Sequence, residues 1–388
     1  MEQTWTEKKN KITEFRKKFD TGLLLSAIAL SVFSCILIYS IVKNEILSNV
    51  GMSYFTTQVA ATVLGIIALI VVSAIDYKKL SKFWFLMVPV AVILILLTFT
   101  SLGVTIEGVD DRGWLDFGFI QFQPSEILKL VFLITFSLHL SKDRENMNKP
   151  LHMLLIVIHA MIPVGLVLLQ GDDGTALIFI FMFAAMLLTS DVSWKYILAA
   201  VILIPIAAFV FWQFFIGDVQ KERILILFNP GTDPTGLEYQ QNLSLAALAN
   251  GKMFGKGLFS DEFISLPEIY NDFIFAHVGQ TTGFVGCVIV LCVIAYMLLR
   301  ILIDSHKAKD SQGMILCSGV FGMFLCHYFF NLGMVLKVTP VIGVPLPFLS
   351  AGGTAIVSMY MALGLVISTY THNEKKRRFF YDSENYDY

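Results

Sequence analysis

The sequence predicts an all-α polytopic membrane protein of ten transmembrane helices, with a long extracytoplasmic loop between spans seven and eight. Three observations predict it. Of 388 residues, 56% are hydrophobic and 15% charged, with a mean hydropathy of +0.71, far outside a soluble globular composition. Apolar runs recur along the chain, most of them long enough to cross roughly 30 Å of hydrocarbon. Lys and Arg gather in alternate turns, as the positive-inside rule requires.

Taken in order, Lys8, Lys9, Lys11, Arg16, Lys17 and Lys18 precede the first span, 21–42, and place the N-terminus in the cytoplasm. That span is long for a signal segment and lacks a small-residue cleavage site, so it is expected to remain. Further spans read as 54–75, 83–102, 124–140, 151–169, 175–189, 194–216, 273–303, 312–336 and 351–370. The inner turns then carry Lys78, Lys79 and Lys82, next Lys142, Arg144 and Lys149, next Lys195, next Arg300, Lys307 and Lys309, and finally 375–378. The outer turns are nearly bare, apart from Lys43, Arg112 and four bases in the long loop. Both termini are therefore expected in the cytoplasm. The organisation is a cytoplasmic segment at 1–20, a ten-span domain at 21–371 enclosing the loop 217–272, and a tail at 372–388. The tail's basic cluster suits an anchor on anionic membrane lipid.

Other classes find little support. The five cysteines lie in apolar stretches without metal-ligand or disulfide spacing, and the seven histidines are scattered. No internal repeat is evident, which weakens an inverted-repeat transporter, and no nucleic-acid partner is expected.

Four polar stretches interrupt the spans. The first, 110–129, holds Arg112 and Trp114, then Pro124, Glu126 and Lys129. Pro124 suits a first helical position and Glu126 complements the positive helix end. Glu126 and Lys129 share a face and can pair, so the stretch is either a site or a helix start with a paired intramembrane charge. Trp114 also reads as an interfacial anchor. The second stretch sets Asp172 and Asp173 before span six; these acids hold a divalent cation or cap the span, and the cap is the preferred reading.

The third is the loop 217–272, too long for a mere connector, with Arg223, Asn229, Asp233, Tyr239 and Gln240. Its eight acids outnumber its four bases. Each acid reads as solvated except Asp272, which sits where water meets the membrane, a depth at which ionisable groups are costly and tend to be functional. Gly251, Gly255 and Gly257 mark tight backbone geometry. The fourth stretch, 337–354, contains Pro340, Pro345 and Pro347 and cannot continue a helix, so it must lie against protein or a water-filled cavity. Ser350 is expected to cap span ten, whose positive end either receives an anionic group or packs as a turn.

Together these stretches resemble the SEDS family of cell-wall polymerases, the rod-shape, division and sporulation proteins of bacteria. The likeness runs from span one to span ten. It rests on Arg112 with Trp114, Gln123-Pro-Ser-Glu-x-x-Lys129, Asp172-x-Gly-Thr175, Arg223-Ile, Asn229-Pro-x-x-Asp-Pro234, Tyr239-Gln240, Gly255-Lys-Gly257, Asp272-Phe-Ile-Phe275, Pro345-Leu-Pro-Phe348 and Ser350-x-Gly-Gly353. The resemblance implies a peptidoglycan glycosyltransferase that polymerises lipid II at the outer face of the cytoplasmic membrane with a class B penicillin-binding transpeptidase. It implies that Asp272 is catalytic, with substrate contacts at Arg112, Trp114, Glu126, Lys129, Asp172, Arg223, Tyr239, Gln240 and Ser350. Asp272 would take the acceptor hydroxyl proton, while the pyrophosphate charge is met by Arg112, Arg223, Lys129 or a divalent cation, Mg2+ or Mn2+. A lipid II flippase and a non-catalytic scaffold for the transpeptidase are the competing readings; a continuous polar path to the inner face would favour transport.

The chain departs from the family pattern in places. Gln280 stands where relatives usually carry a carboxylate, Gly171 and Asp173 replace a proline and an apolar residue, and Leu243 replaces a glutamine. A neutral amide supplies no charge and cannot act as a base, so no ionised role is expected of Gln280.

Overall fold

A computed structural model describes residues 19–372, apart from 48–49, 106–111, 119–120, 215, 230, 234–235 and 237. The basic N-terminal residues, Asp110, Asp111, Pro230, Pro234 and the basic cluster of the tail lie outside the described residues.

The apolar runs form helices: α1 Thr21–Lys43, α2 Met52–Ala74, the short α3 Tyr77–Lys82, α4 Trp84–Leu97, α5 Pro124–Lys142, α6 Pro150–Gln170, α7 Asp173–Thr189, α8 Trp194–Phe214, α11 Ile274–Lys307, α12 Ser311–Val335 and α13 Gly353–Thr371. Two more, α9 Asp218–Phe228 and α10 Tyr239–Asn250, fall within the stretch read as a loop. Eight helices among the described residues are long and apolar enough to cross a membrane, and the protein is a multi-pass membrane protein. The two apolar helices outside that set are α4, with 14 residues, and α7, with 17. At about 1.5 Å per residue both fall short of a full hydrocarbon thickness. Predicted span 83–102 is cut short because the chain turns after Leu97 and enters a small antiparallel sheet of β1 Gly103–Val104, β2 Trp114–Asp116 and β3 Gln121–Phe122. In its register Gly103 faces Leu115 and Leu115 faces Phe122. The all-α expectation is amended by that sheet. Alternation over two or three residues is too short a signal to read in advance.

Lipid tails give no hydrophobic drive between helices, so close backbone approach and polar contacts hold them together. At the α2–α13 crossing Gly65 lies under the Tyr360 ring, where a Cβ would come within 2.4 Å of Cδ2, and the Tyr360 hydroxyl donates to Ser31 Oγ of α1 at 2.9 Å. Gln58 of α2 donates to Ser34 of α1 at 2.7 Å. At the other end Asp20 caps α1 through the N–H groups of Gly22 and Leu23 and is clamped by Arg300 of α11 at 2.9 and 2.6 Å. By contrast α8 buries none of its apolar stretch against the rest of the protein.

The region 217–272 is a folded layer and not a connector. Gln241 and Ser244 on α10 donate to the carbonyls of Met334, Thr339 and Val335 at the end of α12. Lys337, just past the end of α12, donates to Glu238 at 2.5 Å and Asn242 at 2.8 Å. The segment 251–257 crosses α11 so closely that a Cβ on Gly251 would sit 1.8 Å from the Gly279 carbonyl oxygen. There α11 breaks its helical geometry at Gly283, φ 67°, where Gly255 and Met253 leave no room for a side chain.

Candidate functional site

The proline-bearing segment before α13 holds the site together, and its non-helical carbonyls are met by side chains of the surrounding helices. Arg223 of α9 donates to Val341 O at 3.2 Å, Asn331 of α12 to Val344 O at 2.8 Å and His327 to Pro345 O at 3.0 Å. Ser34 donates to Leu349 O at 2.5 Å. The start of α7 packs on the same segment, since a Cβ on Gly174 would come within 2.6 Å of Ile342 O. Ser350 does not cap span ten. The helix begins at Gly353 with Gly352 as its N-cap and no side-chain cap bond. The Ser350 hydroxyl instead accepts the Leu346 N–H and donates to Asn271 O, both at 2.7 Å, because two residues of non-helical chain, Ala351 and Gly352, separate it from the first helical turn. It thereby ties the segment to the residue before Asp272.

Asp272 lies just ahead of α11, with Phe273 as the N-cap. Its backbone is well held: Asn331 donates to its carbonyl at 2.8 Å, and Tyr270 O accepts the Ala351 N–H at 2.9 Å. Its side chain is not. Among the described residues nothing hydrogen-bonds the carboxylate, and a Cβ on Gly343 would lie 3.7 Å from Oδ2. The residue keeps part of its surface accessible, yet the carboxyl is surrounded by protein; burial, reinforced by the charge of Glu268, pushes its pKa up to about 7.

The other predicted site residues fall into two sets. Glu126 and Lys129 are buried and pair at 2.9 Å, and Ser358 of α13 also donates to Glu126. Lys129 is 1% exposed, so its ammonium serves Glu126 and not the surface. Asp172 caps α7 through the Thr175 N–H at 2.8 Å and accepts from Gln123 at 3.2 Å. Burial pushes its pKa up, while the bonds from Thr175 and the nearby Lys129 oppose the shift. These residues, with the α5 start, are joined to the proline segment through α7. Arg112, Tyr239 and Gln240 make the second set. Arg112 is exposed and held by its N–H to Gln170 O at 2.9 Å; Trp114 is half-buried on β2; Tyr239 is exposed and Gln240 half-buried on α10. Their neighbours Glu238 and Gln241 are the ones that bind the fold. Glu238 accepts the Gly231 and Asp233 N–H groups and Lys337, which holds its carboxyl below the usual range.

Sequence reading missed Asn331, Ser358 and Glu268. The signal for the first two was a polar side chain inside an apolar span. Gln280 is fully buried, its oxygen accepting the Ile264 N–H at 2.6 Å and its nitrogen donating to Ile264 O at 3.2 Å. Among the described residues no three His, Cys, Asp or Glu side chains converge as metal ligands.

Comparison with known proteins follows this geometry. A family model described as Cell cycle protein, FTSW_RODA_SPOVE, matches residues 21–375. The chain is 30% identical over 376 residues to the peptidoglycan glycosyltransferase MrdB of Escherichia coli K12, covering 95% of this chain and 98% of that one. It is 28% identical to a probable peptidoglycan glycosyltransferase FtsW of Geobacter metallireducens, over 92% of this chain and 95% of that one. Its fold matches, at a TM-score of 0.76 and 23% identity, a chain solved in work on structural coordination of polymerization and crosslinking by a peptidoglycan synthase complex, covering 92% of this chain and 99% of that one.

Proposed function

The chain belongs to the FtsW/RodA/SpoVE family of cell cycle proteins, and from that membership we infer that it is a peptidoglycan glycosyltransferase acting in cell elongation, division or sporulation. Its substrate is lipid II, and its partner a class B penicillin-binding transpeptidase. The proposed topology is ten crossings with both termini in the cytoplasm, supported by the alternation of Lys and Arg between turns. This places Asp272 at the outer face.

One observation carries the mechanism: among the candidate site residues, Asp272 is the carboxylate with a fixed backbone, a side chain that no described residue hydrogen-bonds, and a pKa pushed up to about 7. A general base needs that poise, since it must be ionised to accept a proton and basic enough to hold it. The acceptor sugar's 4-hydroxyl oxygen attacks the anomeric carbon of the polyprenyl-linked donor, and a carbon–oxygen bond forms as the hydroxyl proton passes to Asp272. The bond to the phosphate oxygen breaks, and undecaprenyl pyrophosphate leaves with the electron pair. Arg112 and Arg223 are the cations left at the surface to meet that charge, since Lys129 is spent on Glu126. The donor set fits a Mg2+ or Mn2+ ion held by one or two carboxylates and the substrate's phosphates. Glu268, whose charge reaches Asp272, would hold it and leave Asp272 free as the base, and it would neutralise the departing pyrophosphate.

The test is extension of labelled lipid II by purified protein, with and without partner and divalent metal. Glycan strands made by the wild type and lost in Asp272→Ala support the reading. Strands made equally by Asp272→Ala overturn the base, and no strands under any condition overturn the enzyme in favour of transport or scaffolding.

A further inference from the structure

Four backbone anchors surround Asp272, and three of them come from the α12–α13 side: Asn331 on its carbonyl, Ser350 on Asn271 and Ala351 on Tyr270. The fourth comes from α11 itself. Gln280 uses both ends of its amide on one residue, Ile264, and its own carbonyl accepts the Lys256 N–H at 2.8 Å. Ile264 stands eight residues before Asp272 and Gln280 eight after, so the amide closes a loop with Asp272 at its midpoint. Inside that loop regular secondary structure is absent among the described residues from Ile264 to Phe273, and Glu268 takes the left-handed backbone conformation, φ 56°. Turn bonds of its own run between Leu266 and Ile274, and beyond these the segment is placed by its anchors and by Ser265, which donates to Ile46 O at 2.9 Å. The His277 ring, edge-on to Phe263 at 5.1 Å, packs beside the same clamp.

We propose that Gln280 is a positioning residue for Asp272: its paired amide bonds to Ile264 hold the 264–272 segment so that the carboxylate is presented at the mouth of the site. This rests on the glycosyltransferase reading for its rate test and on geometry alone for its structural test. The chemistry also explains why an amide serves here. A buried ionised carboxylate would satisfy the Ile264 N–H but would face the Ile264 carbonyl, acceptor against acceptor, whereas Gln supplies one acceptor and one donor.

Gln280→Met keeps the length and removes both bonds, and Gln280→Glu keeps the acceptor and regains the donor only when protonated. Hydrogen–deuterium exchange of the 262–272 segment in purified, substrate-free protein is the first measurement. It should quicken at least about fivefold in Gln280→Met, and unchanged exchange overturns the clamp whatever the protein's activity. Lipid II extension is the second. The kcat of Gln280→Met should fall about ten- to a hundredfold, as expected when a reacting group is misplaced by an ångström or less, with KM changed far less. Gln280→Glu should lie between, its deficit relative to wild type shrinking as pH falls. The ionisable groups on the packed elements, Lys252, Lys256, Asp261, Glu262, Asp272 and His277, are common to both proteins and cancel in that ratio. Quickened exchange with wild-type kcat overturns the positioning role while leaving the contact. A wild type that makes no glycan strands overturns the functional reading instead, and the exchange result still decides the clamp.

Discussion

Asp172 and Asp272 are the same residue type in nearly the same setting, each just ahead of a helix and each with a carboxyl that burial pushes up. Their difference is one of partners. Asp172 spends both oxygens, one on the Thr175 N–H and one on Gln123. Asp272 spends neither, although its backbone is gripped from several directions. A carboxylate whose lone pairs are filled by the fold stabilises the fold, and one held in place with its lone pairs open is available for chemistry. The comparison separates a cap from a base better than position, burial or charge does.

The largest effect that could break this contrast is on rate. Asp272→Asn keeps the shape and removes the base, and lipid II polymerisation should fall about 10²–10⁴-fold with little change in thermal unfolding. Retained activity would put Asp272 back among the structural acids. Next is Glu126, a buried carboxylate with a charged partner. Lys129→Met strands it without its ion pair and should cost about 3–5 kcal/mol in unfolding measurements, most of it recovered in the double variant with Glu126→Gln. A smaller effect sharpens the contrast through pH. With the Asp272 pKa near 7, the ionised fraction and hence the rate should drop roughly tenfold per unit as pH falls below about 6. That acid limb should persist in Asp172→Asn. The same shift gives a sign for stability: the folded state holds a proton that the unfolded state releases, so Asp272's contribution is present at acid pH and lost as pH rises through about 7. Asp272→Asn should flatten that slope. The smallest effect is the cap itself, since Asp172→Ala should lower stability by about 1 kcal/mol.

Much of the candidate site was legible beforehand because its signals are local. The three-residue spacing of Glu126 and Lys129 announces their pairing, Asp172 followed by a glycine and a threonine announces a cap, and the position of Asp272 between a polar stretch and an apolar run announces its place just ahead of a helix. Other features depend on what lies opposite in space. Ser350 reads as a cap until its hydroxyl is found bridging Asn271 and Leu346. Gln280 reads as a lost charge until its amide is found matched to Ile264. The region 217–272 reads as a loop because α9 and α10 have weak apolar faces, and their docking is polar instead, made by Arg223 on α9 and by Gln241, Ser244 and Glu238 at α10.

The sequence by itself determined that this is a bundle of apolar helices in a membrane, because length, hydropathy and the placing of Lys and Arg act span by span and need no partner. It also placed Asp272 at a boundary. Only the tertiary structure decided which acid stays open. That depends on contacts such as Asn331 to the Asp272 carbonyl, 59 residues apart, and Ser358 to Glu126, 232 apart. No periodicity along the chain records whether a distant side chain will arrive to fill a lone pair.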